Sequence, residues 1–308
     1  MKGSSRFFIL GTLAWVFGTA DALADMWTLL PPDPAPDTGA AARGVTVAPD
    51  FASQQLSALD ADALEQILAL APKENRDPAG VPGTAIELTL PTPDGGLERF
   101  AVVESFVMEP GLAQWLTDRG WPMRTFSAYS LDHPGVTARL DWGGPNGFHA
   151  VVLTPTGTWY VDPVTPGRFD RYRSYHKRDR QPDQPLQCEG EDLHGLSPEL
   201  LDQALGKTTP KAGASTAGRL RTYRLAYAVT GDYTDNLAGG SVVTAQANVV
   251  TLINRVNAIF EREIAVRFLL IADNPDLVYD DPDMDPYTQS SALTMLDENQ
   301  ANVDAVIG

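Results

Sequence analysis

The sequence predicts an α+β chain in two parts, and three observations predict it. Apolar residues alternate with polar ones through much of residues 84–175, the period of half-buried strands. Residues 219–274 read instead as strand, long amphipathic helix, strand. Between the two lies a polar stretch, 177–218, ending GKTTPKAGASTAG, a composition that suits a linker and a protease target.

The chain has 308 residues, enough for a sizeable core and two domains. It carries 23 Lys+Arg against 40 Asp+Glu, a net charge of -17. Such a surface repels phosphates and argues against nucleic acid or an anionic membrane as partner. The first residues read as an export signal: basic Lys2 and Arg6, an apolar run over 7–16, and the small-x-small pattern Ala22-Leu23-Ala24. Residues 1–24 are therefore expected to be a signal peptide and the mature chain to be secreted, extracellular or periplasmic, with no membrane contact once the signal is removed. Residues 25–50, rich in Pro, Asp, Ala and Gly, are expected to form a disordered lead-in.

A β-rich domain is assigned to residues 51–176. It opens with a helix, because Leu64, Ile67, Leu68 and Ala71 fall on one helical face. Asp60 or Asp62 can cap it and Pro72 ends it. Ile86, Leu88 and Leu90 then alternate, Pro93-Asp94-Gly95-Gly96 makes a turn, and Phe100, Val102 and Val103 begin the return strand. Leu112, Trp115 and Leu116 suggest a short helix after Pro110. Strands follow over 124–131, 136–142, 147–154 and 158–162, for an antiparallel fold of six or so short strands.

Within the 177–218 linker, a short helix is expected over 197–205. Beyond it, RLRTYRLAYAVTGDY reads as a strand-like run and Gly239-Gly240 as a turn. Ser241 can cap a long helix in which Val242, Ala245, Val249, Ile253, Val256 and Phe260 share one face. IAVRFLLIAD supplies a second strand, and a crossover of this length predicts a parallel pair with the helix on one face. After an Asp/Pro loop the last stretch is helical.

Few residues suggest chemistry. The histidines are His133, His149, His176 and His194, with no HExxH and no metal-ligand spacing on a helix; each reads as a surface or satisfied core histidine. There is no GxSxG, P-loop or GxGxxG before a helix. Asp280, Asp281, Asp283 and Asp285 could offer oxygens to Ca²⁺, but two prolines stiffen the loop and no Gly and trailing Glu complete a Ca²⁺ pattern, so a solvated acidic loop is expected. Cys188, in Gln187-Cys188-Glu189-Gly190, is the only cysteine. It can be free, paired with another chain or a cysteine outside this sequence, or a metal-bound thiolate.

Residues 220–308, with RTYRLAYAVTGDYT, VVTLINRVNAIFEREIAVRFLLIADN and DPYTQSSALTMLDENQANVDAVIG, resemble the N-terminal part of the catalytic domain of bacterial reprolysin-like (adamalysin-type) zinc metalloproteases, a branch of the metzincins. Residues 254–271 carry the most specific part of the likeness. ELTLPTPDGGLERFAVVESFVMEPGLA and GFHAVVLTPTGTWYVDP resemble the β-rich propeptide of the same proteins. The resemblance implies a secreted zymogen that hydrolyses peptide bonds in protein or peptide substrates, with residues 219–308 as a truncated catalytic domain. It implies zinc held by the three histidines of HExxHxxGxxH, with that motif's Glu as base. The sequence lacks this motif, so no catalytic residue and no zinc ligand is assigned and the 308 residues alone are expected to be inactive and to bind no zinc, as a fragment or as a non-catalytic relative. In this setting Cys188 gains a further reading, a propeptide thiolate on the zinc. Two readings from other classes stand beside it: an exported binding or adhesion protein with a β-sandwich-like domain, and a secreted inhibitor built from a free-standing propeptide.

Overall fold

The computed structural model describes residues 26–31, 51–74, 85–180, 220–288 and 291–308. The signal segment, the 197–205 helix, Cys188 and His194 lie outside these residues.

Nine strands form one antiparallel sheet: β1 (Trp27–Leu30), β2 (Gln55–Leu59), β3 (Ile86–Pro91), β4 (Leu97–Glu104), β5 (Arg124–Ser130), β6 (Thr137–Gly144), β7 (Gly147–Thr154), β8 (Gly157–Pro163) and β9 (Arg171–His176). Their order is β1-β2-β9-β8-β7-β6-β5-β4-β3. The alternation read from the sequence is what the sheet uses. Leu88 faces Phe100 across β3 and β4, Phe126 faces Leu140, and Ala138 faces Val152. All these inward side chains are buried, with Phe148, Trp159, Val161 and Tyr172.

The sheet curls until its two end strands meet. Trp27 on β1 donates its indole N–H to the Thr89 carbonyl on β3 at 2.9 Å. Trp27 is 3% exposed and packs edge-on against Tyr172. This corrects the disordered lead-in over residues 27–30: the pairing that orders this short strand comes from Gln55–Leu59, far along the chain. It also corrects the β-sandwich expectation, since the strands bond into one curled sheet rather than two facing ones. Helix α1 (Ala61–Ala69) is capped by Asp60, whose side chain accepts from the Ala63 N–H. Its Leu64 and Leu68 complete the interior of the curl.

The carboxyl-terminal part has β10 (Arg221–Leu225) and β11 (Val266–Leu270) paired in parallel, with α4 (Val242–Ile264) as their crossover. Ser241 caps α4 by accepting from the Thr244 N–H. Of the apolar face read from the sequence, Ala245, Val249 and Ile253 are fully buried, while Val256 and Phe260 are half-buried. The strand-like run before the turn is shorter than expected. After β10 the chain forms α3 (Gly231–Ala238), capped by Thr230. Helix α5 (Ala292–Val306) closes the chain, capped by Ser291.

The two parts are not separate in space. Residue Met108 bridges Leu270, and the bonds run from the Leu270 N–H to the Val107 carbonyl and from the Glu109 N–H to the Leu270 carbonyl, both 2.8 Å. Helix α2 (Pro110–Thr117) follows at once. Val107, Met108, Leu112, Leu116 and Met123 share one buried cluster with Val229, Ala245, Val249, Val250, Ile253 and Leu270. At roughly 1.5–3 kcal/mol for each large apolar side chain, these five contribute on the order of 10 kcal/mol gross, an upper bound. The second core is thus built from both sides of the linker.

Candidate functional site

Helix α4 has a second working face. Thr251, Asn254, Arg255, Ala258 and Glu261 recur at helical spacing and turn toward the outside of the curled sheet. On β6 the period of two puts Ala138 and Leu140 inside and Arg139 and Asp141 outside. Across β7 and β8 the same outer face carries His149, Val151, Leu153, Tyr160 and Asp162. Val151 and Leu153 pack on Ala258. Around that small apolar contact stand two polar clusters.

In the first, Asp141 is 1% exposed and accepts from the Thr251 hydroxyl at 2.9 Å. Asn254 gives its side-chain N–H to the Leu140 carbonyl at 2.8 Å and reaches Asp141 at 3.5 Å. The Asn254 Oδ1 is buried and has no hydrogen-bond partner among the described residues. Next along the sheet, His149 Nδ1 lies 2.8 Å from Asp162 Oδ1, Tyr175 donates to Asp162 Oδ2 at 2.6 Å, and Arg255 pairs with Asp162. Burial pushes the Asp141 carboxyl above its ordinary value. Burial pushes Asp162 the same way, but the Arg255 charge and His149 outweigh it and hold Asp162 far below the usual carboxylate range. Asp162 pairs directly with the Arg255 guanidinium, whereas at Asp141 the charges of His149 and Arg255 do not offset burial, and that difference separates them.

The second cluster is a ring of two arginines and two carboxylates. Arg139 on β6 and Arg267 on β11 both bind Glu261 on α4, and Arg267 also binds Glu74. Arg139 donates to the Ser105 hydroxyl at 2.8 Å, and that hydroxyl donates to Glu74 at 2.5 Å. Burial raises Glu74, but bonds from Arg267 and Ser105 outweigh it and leave it below its ordinary value. Burial also draws the Arg139 guanidinium down from the usual arginine value. Since Arg139 is 3% exposed, its charge depends on those carboxylates.

Asn257 holds β11 on the helix: its side-chain N–H gives to the Phe268 carbonyl at 2.8 Å, and its Oδ1 accepts from the Phe268 N–H at 2.7 Å. Asn274 does the same for Tyr227 and also gives to Gln246 Oε1 at 2.9 Å. Asn254 and Asn257, in the segment singled out from the sequence, are therefore the pegs that fix α4 to the curled sheet on one side and to β11 on the other.

The other sequence candidates fall elsewhere. His133 meets Glu98 at 3.0 Å, and His176 lies 3.7 Å from Asp94. With His149 on Asp162, the described histidines stand apart from one another, each beside its own carboxylate. In the acidic loop, Asp285 accepts backbone N–H groups from Gly231 and Tyr287, and Asp281 accepts from the Asp283 N–H. Asp280 joins no metal-holding group, and among the described residues no three His, Cys, Asp or Glu side chains group so as to hold a metal ion. These residues do not fit a zinc site. A cavity of about 210 Å³ lies between α4 and the 227–233 segment, lined by Tyr227, Val229, Thr230, Tyr233, Val249 and Leu252. Its lining holds no acid–base pair.

The sequence reading missed Arg139, Asp141, Asp162, Arg255 and Glu261. A signal was present. Charged residues alternate with apolar ones on β6, and α4 repeats polar side chains on a second stripe. Neither says what the stripe meets.

Among the described residues no helix is long and apolar enough to cross a membrane. No curated protein and no solved structure matches the chain. Residues 219–308, under a third of the chain, match the family model of the reprolysin-like metallo-peptidases of family M12B.

Proposed function

We propose that the chain belongs to an exported zinc metalloendopeptidase of the reprolysin-like class, made as a zymogen. Residues 219–308 form the opening of its catalytic domain, residues 1–24 direct export, and the curled sheet acts as propeptide. The observation that carries this reading is the family match over 219–308, which falls on the strand–helix–strand unit held by the sheet. The reaction class is peptide-bond hydrolysis in protein or peptide substrates. Zinc is implied by the family alone, and no step is assigned to residues of this chain. Their part is to build and hold the scaffold.

The experiment compares two preparations on casein. Protein recovered from the medium or periplasm of the producing cells is expected to cut casein in a chelator-sensitive way, with peptides from residues 220–308 in the active species. A chain of residues 1–308 is expected to leave casein intact. Cleavage by that chain overturns its expected inactivity, and secreted activity indifferent to chelator overturns the zinc peptidase reading. Cys188, proposed as the thiolate that keeps the zymogen silent, has its own test. A Cys188→Ala zymogen is expected to show activity before processing; one as latent as the parent overturns that role.

A further inference from the structure

The contact between the two parts of the chain is larger than a tether requires, and much of it is a backbone bridge and a helix. Residues 107–109 bond to Leu270, the last residue of β11, on the edge opposite β10, so the parallel pair has a further backbone partner from before the linker. Glu109 then fixes the corner. Its carboxylate accepts from Arg224 Nε at 2.6 Å and from the Ala272 N–H at 3.0 Å. Gly111 passes so close to Ala272 that an added Cβ would stand 2.7 Å from the Ala272 Cβ. Leu112 and Leu116, both 0% exposed, sit in the core of the carboxyl-terminal unit. From the other side the sheet grips α4 through Arg139 with Glu261 and Asp162 with Arg255.

We infer that residues 26–180 and 220–308 stay together as a non-covalent pair after the segment between them is cut, and that residues 107–123 are the clamp. Cutting the linker removes none of these contacts. It leaves α4 and β11 with the bridge at Leu270, the core helix and the ion pairs they had before. A single cut in 181–219 therefore does not free the carboxyl-terminal unit. A second event must lift residues 107–123 from β11. This holds whether or not the chain is part of a peptidase.

The test places a site-specific protease sequence within residues 206–218 of the full chain and cuts the folded protein. Both pieces are expected to co-elute in size exclusion at the mass of the uncut chain at micromolar concentration. In the cut particle the amides of Glu109 and Leu270 are expected to exchange as slowly as before. Separate elution, or loss of protection at these two amides, overturns the inference. A Glu109→Gln, Glu261→Gln variant keeps the apolar core and removes two charges from the contact. Its cut pair is expected to dissociate at a concentration at least tenfold higher than the parent pair. An unchanged dissociation concentration overturns the role of these two charges in holding the parts together. Failure in any arm leaves the peptidase reading untouched, because no arm measures proteolysis.

Discussion

At the scale of single residues, the joint between sheet and helix is decided by how each buried charge is matched. Asp162 has Arg255, His149 and Tyr175 around it. Removing one side strands the other, which typically costs about 3–5 kcal/mol when the pair is buried. Arg255→Leu is expected to fall near the lower end, because the Arg255 side chain keeps 28% exposure. The double variant Arg255→Leu, Asp162→Asn should recover part of the loss. Urea denaturation of both gives the coupling, and strict additivity would refute it. Asp141 behaves in the opposite sense. Its folded value lies above the ordinary 3.8, so its contribution is complete below that pH and is lost as pH rises through the raised value. Asp141→Asn removes this slope. Its urea midpoint relative to the parent is expected to rise as pH increases from about 4. A difference that stays flat with pH would show that Asp141 does not titrate in this way.

At the scale of elements, the ends of α4 are the informative places. Ser241 accepts from the Thr244 N–H, and loss of such a cap costs about 1 kcal/mol. Ser241→Ala should lower thermal stability by that amount. The other end closes on Ala265 at φ 54°, a left-handed residue that carries a Cβ. Ala265→Gly is expected to stabilise by roughly 1 kcal/mol, since glycine takes this conformation without the steric cost. An unchanged or lower melting temperature would show that the Ala265 methyl matters more than its backbone. Gly231 is the reverse case. A Cβ there would meet the backbone of Asp281 and Pro282 at 2.3–2.6 Å, and Gly231→Ala is expected to cost about 1–3 kcal/mol in a denaturant titration.

Much at this scale was legible in the sequence. The turn at 93–96, strands β3 to β8, helix α2 after Pro110, and α4 with its Ser241 cap follow from local period and punctuation. Three strands did not. β1 is four residues beside a proline-rich stretch, β2 is five, and β9 reads RYRSYH with little apolar contrast. Each gains its identity from a partner outside its own stretch: β2 pairs with β1 on one side and, from far along the chain, with β9 on the other. Residues 230–238 were missed because Thr230 and Gly231 read as the end of a strand, whereas the Thr230 hydroxyl caps a helix.

At the scale of the whole molecule, the ring of Arg139, Glu261, Arg267 and Glu74 joins the sheet, α4 and β11. Glu74 lies below its ordinary 4.5 in the folded state. Its contribution is present above that value and lost as pH falls through the lower one. Asp162 adds to the same acid loss, while Asp141 weakens the joint on the other side. The expected optimum is mildly acidic, and Glu74→Gln should flatten the acid limb. Tryptophan fluorescence against pH at fixed urea measures it, and an acid limb as steep as the parent's would exclude Glu74 as its source.

The sequence by itself determined the class, the run of elements from α1 through β3 to β8, the face that α4 turns to its own strands, and the likeness of residues 220–308 to a peptidase scaffold. These depend on local period, caps and turns, which are written within a few neighbouring residues. Only the tertiary structure decided that the sheet curls shut on Trp27, that residues 107–123 complete the second core, and that Asp141, Asp162 and Arg139 lie under the second face of α4. Each of those facts pairs groups 62 to 163 positions apart. A charge on a strand or a stripe on a helix announces that it needs a partner, and the chain's path alone says which partner it meets.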